Sequence, residues 1–128
     1  MSWEDGHYVV HNVSELLGKT LTKIEHDKDE DELIFTLEDG TRFKLFHEQD
    51  CCEHVYLADV NGEFEDLVGS PITMAEETVN DATKDSYGDS ETWTFYKFAT
   101  VKGYVTLRWI GSSNGYYSES VNFDKVTN

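Results

Sequence analysis

The chain predicts an α+β fold that is mostly β: one domain, built as an antiparallel sheet or small barrel with one or two short helices. Three observations carry that expectation. Alternating apolar and polar runs recur, rich in β-branched and aromatic residues. Glycine-containing turn signals separate them, at Asp39-Gly40, Asn61-Gly62, Lys102-Gly103 and Asn114-Gly115. The 128 residues are 38% hydrophobic and 13% aromatic, enough for one core and too aromatic for a disordered acidic tail.

Taken in order, Met1–Asn12 has no clear period and is set apart as an N-terminal extension, leaving 13–128 as the single β-rich domain. Val13–Gly18 reads as a short helical turn ended by a left-handed glycine. Thr20–Glu25 alternates as a strand, and His26–Glu32 is an acidic run. Two strands then flank Glu38-Asp39-Gly40. A two-residue turn would set Phe35 opposite Lys44. A three-residue loop, with Gly40 left-handed, sets Leu33 opposite Leu45 and Phe35 opposite Phe43, and only this choice yields one apolar face. His54–Val60 is a further strand. Phe64–Pro71 is a turn or short helix stopped by Gly69 and Pro71, Ile72–Val79 is read as helical, and Asn80–Glu91 is read as a polar, mobile loop.

The strongest sheet signal lies in Thr92–Thr100, Tyr104–Ile110 and Tyr116–Phe123. A two-residue turn at Lys102-Gly103 pairs Phe98 with Leu107 and Tyr96 with Trp109. A loop at Ser113-Asn114-Gly115 pairs Leu107 with Val121 and Val105 with Phe123. Together they predict a buried face of Tyr96, Phe98, Val105, Leu107, Trp109, Tyr117, Val121 and Phe123.

Charge narrows the partners. Against 10 Lys and Arg stand 26 Asp and Glu, a net of −16. That field repels nucleic acid and anionic membranes and favours a basic partner. No run approaches the ~20 apolar residues of a membrane span, and the first residues lack the pattern of a signal peptide. The two cysteines, Cys51 and Cys52, are adjacent, and neighbours form a disulfide only with strain. Free thiols in a reducing, cytoplasmic compartment are therefore expected. Cys51 shares parity with Val55 and Leu57 and is expected in the core. Cys52 shares parity with His54 and Tyr56 and is expected at the surface.

Several clusters carry possible chemistry. His47, Cys51, Cys52 and His54 are the residues that would hold a metal, but no Cys-x-x-Cys pair and no second ligand pair stand beside them, so neither metal nor other cofactor is expected. Asp27, Asp29, Asp31 and Glu38 fit places in a calcium loop that fails where Glu32 replaces the required glycine. No Gly-x-Ser-x-Gly elbow is present, and the acids around the cysteines work against a thiolate, so no catalytic residue is assigned and a non-enzymatic role is expected. Lys97 and Arg108, as expected cross-strand neighbours with Phe95, Tyr116 and Ser118, offer a site for a small anionic ligand such as a nucleotide signal. The plainer expectation is a salt bridge to Glu91 or another nearby acid.

Asp50-Cys51-Cys52-Glu53, Glu65-Asp66-Leu67-Val68-Gly69-Ser70-Pro71-Ile72, Trp93-Thr94-Phe95-Tyr96-Lys97 and Gly111-Ser112-Ser113-Asn114-Gly115-Tyr116-Tyr117-Ser118-Glu119 follow one another in this chain. The set resembles a family of small uncharacterised phage and bacterial proteins, a domain of unknown function, over roughly Leu16–Phe123. The resemblance implies a phage or prophage origin, hence the host cytoplasm, and carries over no catalytic residue. With the charge, it leads to an expected acidic interaction protein that binds and inhibits a basic host protein of defence or nucleic-acid handling. Asp27, Asp29, Asp31, Asp85 and Asp89 are its expected contacts. A ligand-sequestering module and a metal- or Cys/His-based protein are the alternatives. The sequence leaves the oligomeric state open.

Overall fold

A computed structural model of the chain describes residues 12–49, 52–81, 90–113 and 119–126. The strands are β1 (Leu21–Asp27), β2 (Glu32–Leu37), β3 (Arg42–Phe46), β4 (His54–Asn61), β5 (Met74–Asp81), β6 (Ser90–Thr100), β7 (Gly103–Ser113) and β8 (Asn122–Lys125). They form two antiparallel sheets, ordered β1-β2-β3-β8 and β4-β7-β6-β5, in one mostly β domain without a closed barrel. Helix among the described residues is limited to two 3-10 turns, Val13–Leu16 and Phe64–Leu67.

The first turn is capped at both ends as its sequence dictates. Asn12 Oδ1 accepts the Ser14 N–H at 2.9 Å, Glu15 reaches back to the Asn12 N–H at 2.9 Å, and Gly18 takes φ +79°. The β2–β3 hairpin forms in the three-residue register, Leu33 opposite Leu45 and Phe35 opposite Phe43, with Gly40 at φ +90°. Burying four side chains on one face selects that register over the alternative.

Three expectations are corrected. Ile72–Val79 is not helical: Met74–Asp81 pairs continuously with β6, burying Ala75 while Glu76 and Thr78 face out. Its Thr and Val residues suit a pleated edge, and tertiary pairing overrides a weak helical pattern. The β6–β7 turn is Val101-Lys102, so Phe98 faces Val105 rather than Leu107. The cause is tertiary. Thr100 Oγ1 donates to the Asp66 carbonyl and accepts Lys102 N–H at 3.1 Å, and Lys102 Nζ donates to the Val68 carbonyl. A Cβ on Gly103 would stand 2.8 Å from Asp66 Oδ2, so a larger residue there would have to displace the Asp66 side chain of the second 3-10 turn. Finally, β7 does not pair with the last strand. β4 occupies that edge of β7, and β8 pairs with β3, setting Phe123 opposite Leu45.

The buried face nevertheless survives. Tyr96, Phe98, Val105, Leu107, Trp109 and Phe123 are buried and Val121 packs against them, while Tyr117 lies outside the described residues. A register shift by two residues preserves parity. Phe35 bridges the sheets, its ring 5.5 Å from Phe98 and 6.3 Å from Phe123, which stacks on Phe43 at 5.0 Å. Leu16, Leu67 and Ile72, none more than 2% exposed, belong to the same core.

Candidate functional site

The alternation that buries Val55, Tyr96, Leu107 and Trp109 turns their neighbours outward. On the outer face of the second sheet, Tyr56 of β4, Ile110 of β7 and Trp93 of β6 stand in one row. The next row holds Asp59, Arg108 and Phe95. None of the three aromatic rings is buried. Their geometry is mutually supported: His54 stacks on Tyr56 at 4.7 Å, and Trp93 and Phe95 lie 6.2 Å apart. The Arg108 guanidinium sits 4.9 Å over the Trp93 ring and pairs through Nη2 with Asp59. The Trp93 indole N–H donates to Glu91 at 2.7 Å. The result is an aromatic face, or platform, that already holds one guanidinium, with Asp59 on that guanidinium, Glu91 at the indole N–H, and Glu76 farther along the same face opposite Lys97.

Lys97 and Arg108 are not direct cross-strand neighbours. Lys97 faces Thr106 and lies 5.4 Å over the Tyr104 ring, while Arg108 faces Phe95. Phe95 joins Arg108 as the sequence suggests, whereas Tyr116 and Ser118 lie outside the described residues. The partner acid of Arg108 is Asp59, reached because a register shift between Leu57 and Asp59 turns Asp59 outward.

The metal-capable group is divided. His54 is exposed on the outer face, and His47 points inward. The His47 Nδ1–H donates to the Ser120 carbonyl at 2.7 Å, and Nε2 lies 2.7 Å from the Glu53 carboxylate. The two side chains are 4% and 0% exposed. Glu53 was missed in the sequence, although its parity with Val55 signals an inward position. Cys52 is at the surface as expected, but it is disulfide-bonded and not a free thiol. The argument for a reducing compartment therefore loses its basis. Cys51 lies outside the described residues. Among those described, no three His, Cys, Asp or Glu side chains are grouped to hold a metal ion, and no helix is long and apolar enough to cross a membrane.

Of the acidic contacts, Asp27 ends β1, and Asp29 and Asp31 lie in the turn between β1 and β2. Asp27 Oδ1 accepts the Asp29 and Glu30 N–H groups at 3.0 and 3.2 Å, and Asp31 takes φ +52°. Asp85 and Asp89 lie outside the described residues.

Residues 14–123 match a domain of unknown function, DUF7448. The chain belongs to that family. No curated protein and no solved structure matches it. The DUF7448 match begins inside the first 3-10 turn and ends inside β8, so the platform and the His47–Glu53 pair lie inside the family domain.

Proposed function

We propose that this DUF7448 protein is a non-enzymatic interaction module that binds a basic protein through the outer face of its second sheet. The observation that supports the reading is the row of Tyr56, Ile110 and Trp93, with Arg108 already stacked on Trp93 and acids at the margin. A partner arginine or lysine gains about 0.5–1 kcal/mol on an exposed ring, and more as water is excluded. Asp59, Glu76 and Glu91 supply charge complementarity, and the net −16 speeds encounter with a cationic surface. The finer reading is a phage-encoded inhibitor of a host defence or nucleic-acid-handling protein, acting in the host cytoplasm, and it rests on the family resemblance and the charge.

The test is capture from bacterial lysate at low and high salt, using the whole chain and a Tyr56→Ala, Trp93→Ala variant. The expected result is one basic protein recovered at low salt, lost at high salt, and lost from the variant. Recovery that ignores both salt and the variant, or no basic protein at all, rejects the reading.

A further inference from the structure

The two sheets have four edge strands, and three of them are protected against pairing with another chain. β1 carries a register shift between Leu21 and Lys23, and Thr20 and Leu21 are bridged to Pro71 and Val68. β4 carries the shift between Leu57 and Asp59. β8 is only four residues long. Bulges, short strands and covering segments are the usual devices that stop edge-to-edge association. β5 meets the first 3-10 turn but carries no bulge and is not short. It runs eight residues, pairs with β6 without interruption, and contains neither lysine nor proline. Among the described residues no strand lies beyond it.

A second observation falls on the same edge. Val79 shares the inner face of β5 with buried Ala75, yet it is 53% exposed. Below it is a pocket of about 290 Å³ lined by Glu77 and Val79 of β5, Thr92 and Thr94 of β6, and Glu119 and Val121. Its polar groups are fixed. Tyr96 Oη donates to Glu77 at 2.5 Å, and Thr92 Oγ1 donates to Glu119 at 2.7 Å. The pocket thus offers two oriented carboxylates and two valines beside the outer edge of β5.

We propose that β5 is a strand-addition site, where an extended, lysine-bearing segment of a partner protein pairs with the edge and places a cationic side chain in the Glu77–Glu119 pocket. Backbone groups supply the pairing, and alternate side chains of the added strand face inward over the pocket. Charge selects the occupant: Glu76 and Glu77 lie on opposite faces of β5, so a second copy brings like charge against like, whereas a basic strand meets opposite charge on both faces. The proposal shares with the proposed function only the basic character of the partner, and it uses a different surface.

The probe is a short synthetic peptide alternating lysine with valine, with a glutamate-for-lysine peptide as control. Amide hydrogen exchange is followed by NMR on the whole chain at low salt. The expected result is slowed exchange at every second residue of β5, because alternate N–H groups of an edge strand face outward. The control peptide produces no slowing. Glu77→Gln keeps an acceptor for the Tyr96 hydroxyl while removing the charge, and it weakens the lysine peptide about tenfold, one charge-assisted contact. Three results overturn the proposal. Slowing confined to Tyr56, Trp93 and Phe95 assigns the peptide to the platform and leaves the proposed function standing. Slowing at β5 without peptide, rising with protein concentration, makes a second copy the occupant. Absence of slowing anywhere removes the site.

Discussion

On the outer face of the first sheet, Lys44 approaches Glu32 at 3.7 Å and Lys23 approaches Glu25 at 3.5 Å. On the outer face of the second, Tyr56, Ile110 and Trp93 cross three strands. The inner faces contribute to one core, so both sheets meet the same requirement for burial. The first meets it with ordinary alternation, apolar within and largely polar or charged without, Ile34 and Phe46 being the apolar side chains on its outer parity that Lys44 adjoins. The second carries apolar surface on both sides, which burial of its inner face does not require. That partly open aromatic surface is the one the proposed contact with a basic partner would use.

The largest effect expected from this contrast lies inside. Phe35 is 1% exposed and touches rings of both sheets. Phe35→Ala removes that bridge, and about 3–5 kcal/mol of unfolding free energy is lost, measured by denaturant titration. A loss below about 1 kcal/mol means that the sheets do not share a core, and the comparison between inner and outer faces collapses.

The inner faces also differ from each other. In the first sheet the buried inner side chains are hydrocarbon, whereas in the second the inner face turns polar toward β5, where the Tyr96 hydroxyl meets Glu77. Burial first, and then the Glu77 carboxylate, push the Tyr96 phenol far above its usual range. Above about pH 10 the unfolded phenol loses its proton while the folded one keeps it, so the unfolded state binds fewer protons and stability falls as pH rises. The contribution is fully present below pH ~10 and declines above it by up to about 1.4 kcal/mol per pH unit. Tyr96→Phe flattens this alkaline limb relative to the parent chain. Identical limbs by thermal unfolding would remove Tyr96 as its source.

How much of this was legible in the sequence follows from what periodicity encodes. The β2–β3 hairpin was readable to the residue, because loop length and a one-sided apolar pattern both constrain the register. In β6 and β7 the buried face was readable, but the turn was not, because it depends on Asp66 and Val68, more than thirty residues away. Partner choice was invisible for β8. Alternation states which side of a strand is apolar and leaves open which strand lies beside it, so Phe123 was placed correctly in the core on the wrong sheet. The same limit governs the site. Phe95 and Arg108 come together because hairpin partners are near in sequence, while Asp59 and Tyr56 arrive from β4, whose place beside β7 no local pattern announces. Glu53 was legible by parity but hidden by composition, since one inward acid is hard to notice among 26.

Outside the core, the platform tests the comparison most directly. Trp93→Ala removes a partly exposed ring that contacts Arg108 and Phe95, and its cost to stability is about 1 kcal/mol by denaturant titration. The same change abolishes capture of the basic partner. A cost near that of Phe35→Ala would make the outer aromatics a second core and end their reading as a contact surface.

The smallest effect belongs to the first sheet's outer face. Lys44 and Glu32 approach at 3.7 Å with about a third of each side chain exposed, and the ammonium also lies 4.4 Å over the Phe46 ring. Exposed pairs of this kind contribute about 0.2–1 kcal/mol and are screened by salt. Because Phe46 still holds the ammonium when the acid is neutralised, Glu32→Gln is expected at the low end, about 0.3 kcal/mol, vanishing in high salt. Partner capture is expected to be unchanged, since Glu32 lies on the other sheet. If Glu32→Gln weakened capture as strongly as Trp93→Ala, binding would follow total negative charge and not the aromatic platform. The difference between the two outer faces would then describe folding alone.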